Sequence, residues 1–163
     1  MKVEIVSREE LVARSQAPFL PRTAVISITD AGDEDVELSY QPDRILRLKF
    51  DDVGYEIYED VLGRKPSAEE KHQIDQKYAV FSNAQSRQIA EFVLQAREDG
   101  RRLICQCEFG QSRSAAVAAA VVEHLEGKGI RIFADERYYP NKLIFAKLLR
   151  SLHTYDSQMR EKE

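Results

Sequence analysis

Residues 102–122 read RLICQCEFGQSRSAAVAAAVV, and the rest of the chain is best understood outward from them. Leu103-Ile104-Cys105 is a short apolar run of the length and branching that suit a buried strand. Ser114 to Val122 is too long for one strand, and its Ala/Val content reads as a helix buried on most sides. Between them stands Cys107-Glu108-Phe109-Gly110-Gln111-Ser112-Arg113, a cysteine and an arginine separated by five residues. A strand that turns sharply into a helix leaves backbone N–H groups and the positive end of the helix dipole at the turn, which together attract an anion. Residues 108–113 are therefore expected to form a phosphate cradle.

The side chains on that cradle suggest its chemistry. A helix N-terminus and a nearby cation favour the thiolate, so Cys107 is expected to be ionised and aimed at the anion. Arg113 offers a planar fork that matches two phosphate oxygens and remains charged, a better fit to a transferring phosphoryl group than a point charge. Ser114 is placed to donate its hydroxyl to the cysteine sulfur and stabilise it as a leaving group. Gly110 allows the backbone to curve with its amides inward.

At Cys107, Gly110, Arg113 and Ser114 the sequence resembles the cysteine-dependent protein tyrosine phosphatase superfamily, whose signature is Cys, five residues, Arg, then Ser or Thr. It is most similar there to the small dual-specificity-like phosphatases of bacteria and phages. Gln106 stands where that family usually has a His that helps hold the cysteine loop. The resemblance implies an α/β three-layer sandwich: a mostly parallel sheet of about four to five strands with helices on both faces. It also implies a metal-independent phosphomonoester hydrolysis through a cysteinyl-phosphate, with Cys107, Arg113, Ser114 and a carboxylic acid as catalytic groups. Glu108, Phe109, Gly110, Gln111, Ser112 and Arg113 would bind the phosphate. A phosphorylated protein or small phosphomonoester is the implied substrate, and no cofactor or metal is called for.

The acid is sought after a strand. Arg44 to Phe50 alternates, with Leu46, Leu48 and Phe50 on one face and Arg47 and Lys49 on the other, as a half-buried strand does. It delivers Asp51 and Asp52 to its C-terminal end, where ligands bind in open α/β sheets. Asp52 is the candidate general acid, because Leu48, Phe50 and Asp52 resemble the apolar-x-apolar-x-Asp segment of the family; Asp51 is the runner-up. Asp52 precedes Cys107 by 55 residues, more than the family usually has, and an inserted helix accounts for the excess. Pro66-Ser67-Ala68-Glu69-Glu70 opens that helix, which runs to about Lys77, and Ser82 with Gln85 opens another to about Glu98. Gly54 to Tyr58 would form a mobile lid, with Tyr55 and Tyr58 available to face a phosphotyrosine ring.

Elsewhere, Val3 to Val6 reads as a short strand and Ser7 with Glu10 caps a helix to about Arg14. Thr23 to Thr29 is the strongest strand signal, and Asp30 beyond it reads as a turn residue rather than a catalytic acid. Gly127 and Gly129 end the long helix, Ile130 to Phe133 reads as a short strand or extended piece, and Asn141 caps a terminal helix to about His153. Residues from about 156 read as a polar, frayed tail.

The 163 residues suit one domain with a core that needs no disulfide. A net charge of −4 gives no footprint for nucleic acid, and Ala115 to Val122, the longest apolar run, is far shorter than the ~20 residues of a membrane span. The N-terminal segment lacks the apolar stretch of a signal peptide, and two cysteines make no disulfide framework, so a cytoplasmic location is expected. His72, His124 and His153 show no ligand spacing. Two other readings compete with the enzyme: a phosphate-binding module of the same fold that is weak or inactive in turnover, and a redox or sulfur-transfer protein using Cys105 with Cys107.

Overall fold

A computed structural model describes residues 1–163, the side chain of Val61 excepted. Four strands form one sheet: β1 (Val3–Val6), β2 (Thr23–Thr29), β3 (Arg44–Lys49) and β4 (Arg102–Gln106), in the order β1-β4-β2-β3 and all parallel. Parallel pairing requires a crossover between strands and buries both sheet faces, which is why β2 is rich in β-branched residues and buried throughout. In register, Ile26 lies beside both Cys105 and Leu46, at the centre of the sheet.

The two faces are covered unequally. One face packs Ala24, Ile26, Ile28, Leu103 and Cys105 against α4 (Asn83–Glu98), α5 (Arg113–Glu126) and α7 (Lys142–Glu161). The other places Val6, Val25 and Ile104 under Leu11 of α1 (Arg8–Arg14) and under Phe19 and Leu38 of the long β2-flanking loops. The expected three-layer α/β sandwich is therefore present with four strands, and one of its layers is a single short helix plus loop. α5 is buried along Arg113 to Val122. Ala at five of those positions lets α5 lie close to the sheet on one side and to α7 on the other.

Capping chemistry sets the helix starts. Ser7, Ser67 and Ser82 each accept from the backbone N–H three residues on, and Glu10, Glu70 and Gln85 return the bond to the cap N–H. Two helices are thereby begun in the segment inserted between β3 and the cysteine loop, α3 (Ala68–Lys77) and α4, behind the shorter α2 (Glu56–Leu62).

Three expectations are corrected. Ile130 to Phe133 is a short helix, α6, not a strand. Gly129 lies so close to α5 that a Cβ there would stand 2.6 Å from the Ala119 carbonyl, and this approach folds the chain onto α5 instead of extending it to a sheet edge. The terminal helix does not end near His153 but runs to Glu161. The tail read as frayed from 156 is anchored at Asp156, which is buried and receives Arg97 from α4 and the His124 ring from α5. Finally, residues 54–58 are not a free lid: they turn directly into α2, and Tyr58 is buried with its hydroxyl on Asp75. Tyr58 is thus unavailable to a substrate ring.

Among the described residues, no helix is long and apolar enough to cross a membrane.

Candidate active site

The cysteine loop hangs between the end of β4 and the start of α5, at the C-terminal edge of the sheet. Cys107 is buried, and its Sγ lies 3.0 Å from the Ser114 Oγ and 3.4 Å from the Ser114 backbone N–H. Both contacts are suited to hold a sulfur that carries negative charge. Among the described residues, no backbone carbonyl accepts from the N–H groups of Glu108 to Ser112. These donors, with the first turn of α5, are what the anion-cradle reading requires.

The loop is braced from two sides. On the β1–α1 side, the Glu108 carbonyl accepts from the Arg8 N–H at 3.1 Å, and Gly110, at φ +67°, packs on the backbone of Val6 and Ser7. A Cβ on Gly110 would lie 2.8 Å from the Ser7 nitrogen and the Val6 carbonyl carbon. Only glycine fits both that conformation and that approach. On the opposite side, the Tyr139 N–H donates to the Gln111 carbonyl at 2.8 Å, and the Asn141 N–H to that of Ser112 at 3.3 Å.

Arg113 is buried with its guanidinium drawn under the ends of β2 and β3. One terminal nitrogen donates to the Phe50 carbonyl at 2.8 Å and pairs with the Asp30 carboxylate at 2.6 Å. Asp30, read from the sequence as a turn residue, is thus a member of the site. Nothing local marks it: its place there depends on the 82 residues between it and Arg113 folding back.

The two carboxylates that follow β3 make different contacts. Asp51 accepts from the Ala31 N–H at 2.9 Å and donates its own N–H to the Ala79 carbonyl, so it ties loops together. Asp52 is exposed beside the cradle; its Oδ1 accepts from the Ser112 hydroxyl at 2.9 Å and from the Asn141 side-chain amide at 3.0 Å. The same Asn141 amide reaches the Val53 carbonyl, while its oxygen caps α7. Asn141, legible in sequence only as a cap, therefore also fixes the loop that carries Asp52. Asp52, Tyr55, Ser112, Tyr139 and Asn141 line a groove of about 420 Å³ that opens from the cradle. Phe109, Tyr55 and Tyr139 are strongly exposed around it.

Gln106 is fully buried on β4 and accepts a hydrogen bond from the Ser27 hydroxyl of β2, while its Nε2 meets no partner among the described residues. It braces neighbouring strands rather than touching the anion donors. Cys105 is buried completely, and that burial pushes its thiol far above the ordinary range, with the neighbouring Cys107 adding to the shift. A group so placed is a core residue, which removes the physical basis for a dithiol reading. The histidines are not all scattered, as the sequence suggested: His124 and His153 approach with Nδ1 atoms 3.1 Å apart, and the Nε2 of His124 is bonded to Asp156.

No family model matches the chain, and no curated protein is similar to it. Solved structures are. Human DUSP28 aligns over 96% of this chain and 94% of its own, with 15% identity and a TM-score of 0.54. PTPMT1 in complex with PI(5)P aligns over 97% and 94%, at 12% identity and a TM-score of 0.52. Tk-PTP in its active form aligns over 94% and 92%, at 16% identity and a TM-score of 0.52. The chain has the fold of the cysteine-dependent protein tyrosine phosphatases, in the form shared by their dual-specificity members.

Proposed function

We propose that the protein hydrolyses phosphomonoesters through a cysteinyl-phosphate intermediate, acting on phosphotyrosine and possessing the open cradle of a dual-specificity enzyme. The observation that carries this reading is the Cys107 sulfur, held by the Ser114 hydroxyl and N–H at the foot of a loop whose amides meet no backbone carbonyl among the described residues. In this reading the Cys107 thiolate attacks phosphorus, and the ester P–O bond breaks as Asp52 gives its proton to the leaving oxygen. Asp52 then takes a proton from the water that attacks the cysteinyl-phosphate, and the sulfur departs onto the Ser114 hydroxyl. Arg113 and the loop amides hold the equatorial oxygens throughout. The charge of the phosphoryl group is met by these donors, so the reaction is proposed to run without a metal. The free thiols of Cys105 and Cys107 are in keeping with a cytoplasmic setting.

One observation favours a second reading, a phosphate-binding module without turnover: Asp30 already occupies the Arg113 guanidinium. Hydrolysis of para-nitrophenyl phosphate in chelator, for the wild type, Cys107→Ser and Asp52→Asn, separates the two. The enzyme reading expects activity that survives chelation, disappears in Cys107→Ser, and falls on the order of 10²-fold in Asp52→Asn. An inactive wild type that still binds tungstate would establish the module instead.

A further inference from the structure

At the N-terminal edge of the sheet, opposite the cysteine loop, lies a second concavity of about 420 Å³. Its walls include Lys2, Arg22, Arg97, Arg101 and Arg102, and no carboxylate is among its lining residues. Five cations around one hollow stand out in a chain of net charge −4. The volume falls in the roughly 300–1,000 Å³ range of ligand clefts.

The neighbouring acids do not neutralise it evenly. Asp156 engages Arg97, Asp43 and Asp99 engage Arg101, and Glu4 lies 3.8 Å from Lys2. Arg22 and Arg102 have no carboxylate within ion-pair distance among the described residues. Arg22 is also held in an uncommon backbone conformation, φ +59°, by its N–H on Asp43 and its carbonyl on the Arg102 N–H. Strain of this kind persists only where surrounding structure imposes it. Here it lays the Arg22 guanidinium across Gly100, whose missing Cβ would stand 3.3 Å from the Arg22 terminal nitrogen. The Nε of Arg101 is buried beside the Asp99 carboxylate at 3.6 Å, so Arg101 is already compensated by Asp43 and Asp99, and Arg22 and Arg102 are the arginines left for a ligand.

We propose that this hollow is a second anion site, distinct from the cysteine cradle, which takes a phosphate-bearing ligand through Arg22 and Arg102. Two guanidinium forks converging on one space match the multiple oxygens of a phosphate better than a single carboxylate. The site is formed by the starts of β1, β2 and β4, so it is independent of whether the cradle turns over substrate.

The test is a titration of the full chain with inorganic tripolyphosphate, followed by amide NMR, which reports each site separately. Saturable shifts are expected at Arg22, Gly100 and Arg102, in addition to any at Gly110 and Ser112. Arg22→Gly removes the whole side chain, guanidinium included, while relieving the backbone at φ +59°, so the fold should survive; it should weaken the distal binding at least tenfold. Arg102→Gln should do the same by a route that leaves Arg22 in place. A variant with Lys128→Gln or Arg131→Gln, equal in charge lost but outside the hollow, should leave the affinity unchanged. Absence of saturable shifts at the three amides, or equal weakening by the control variants, would overturn the proposal. A second arm compares a singly phosphorylated peptide with tripolyphosphate: tighter peptide binding assigns the phosphate to a protein, and tighter tripolyphosphate binding to a free anion. Equal binding of the same peptide without its phosphate would refute the assignment to phosphate.

Discussion

Gly110→Ala tests how the cysteine loop is clamped. The substitution adds one methyl group to a residue at φ +67°, where a side chain costs about 1–2 kcal/mol. The new Cβ would also meet the Ser7 nitrogen and the Val6 carbonyl carbon at 2.8 Å. Those atoms are backbone, at the junction of β1 with α1, and cannot swing aside as a flexible side chain could. Forcing a well-packed element to shift costs a further ~1–3 kcal/mol. The total is about 3 kcal/mol, which for a chain of this size lowers Tm by roughly 6–12 °C. Gly127→Ala supplies the control, because it has the same φ of +67° but nothing within 4 Å of its Cβ. It should lose only the conformational part, roughly 2–8 °C. Thermal unfolding of the two variants, with tungstate binding measured alongside, separates strain from collision. The Gly110 variant should also bind tungstate more weakly, since relief of the collision pushes the loop away from the Arg8 N–H that holds the Glu108 carbonyl. Equal Tm values for the two variants, with tungstate affinity unchanged, would refute the clamp.

Other residues yield further expectations. Asp30→Asn removes one negative charge beside Arg113 while keeping an oxygen to accept its hydrogen bond, so tungstate should bind a few-fold tighter; Asp30 is about half exposed, which limits the effect to roughly 1 kcal/mol. Weaker binding would mean that Asp30 serves chiefly to position the guanidinium. Gln106→Met combined with Ser27→Ala replaces a buried pair whose Nε2 is unsatisfied, and should raise Tm by roughly 2–4 °C; a lower Tm would show that the amide finds an acceptor in solution. Asp156 is held down to about 2, mainly by the Arg97 hydrogen bonds and then by His124, with Arg160 also facing it. Its folded pKa lies below the unfolded one, so its contribution of about 2 kcal/mol is present above about pH 4 and lost as pH falls toward 2. Asp156→Asn should therefore lower Tm by roughly 4–8 °C at neutral pH, with the gap closing between about pH 4 and 2; a gap independent of pH would point to packing rather than charge.

Much of the molecule was legible in one dimension because its signals are local. Three serine capping boxes, the alternation before Asp52 and the β-branched run of β2 concern residues within a few positions of one another, and each element formed where that chemistry placed it. The spacing from Cys107 to Arg113 is local too, since one tight loop must present both. Ile130 to Phe133 misled for a related reason: its branched residues suit a strand, but strand formation needs a free sheet edge, and α5 captured the segment first.

The remaining assignments depended on contacts between residues far apart in the chain. Asp30 reaches Arg113 because β2 and the cysteine loop end at the same edge of a parallel sheet, and Asn141 reaches Asp52 because α7 starts against that edge. Asp51 and Asp52, ranked in sequence only by a resemblance, are sent to different partners by the alternation of the chain as β3 ends. The basic hollow likewise gathers Lys2, Arg22 and Arg102 from the starts of three strands. Parallel topology brings all like ends of the strands together, so residues with no periodicity or spacing in common become neighbours only when the sheet is assembled.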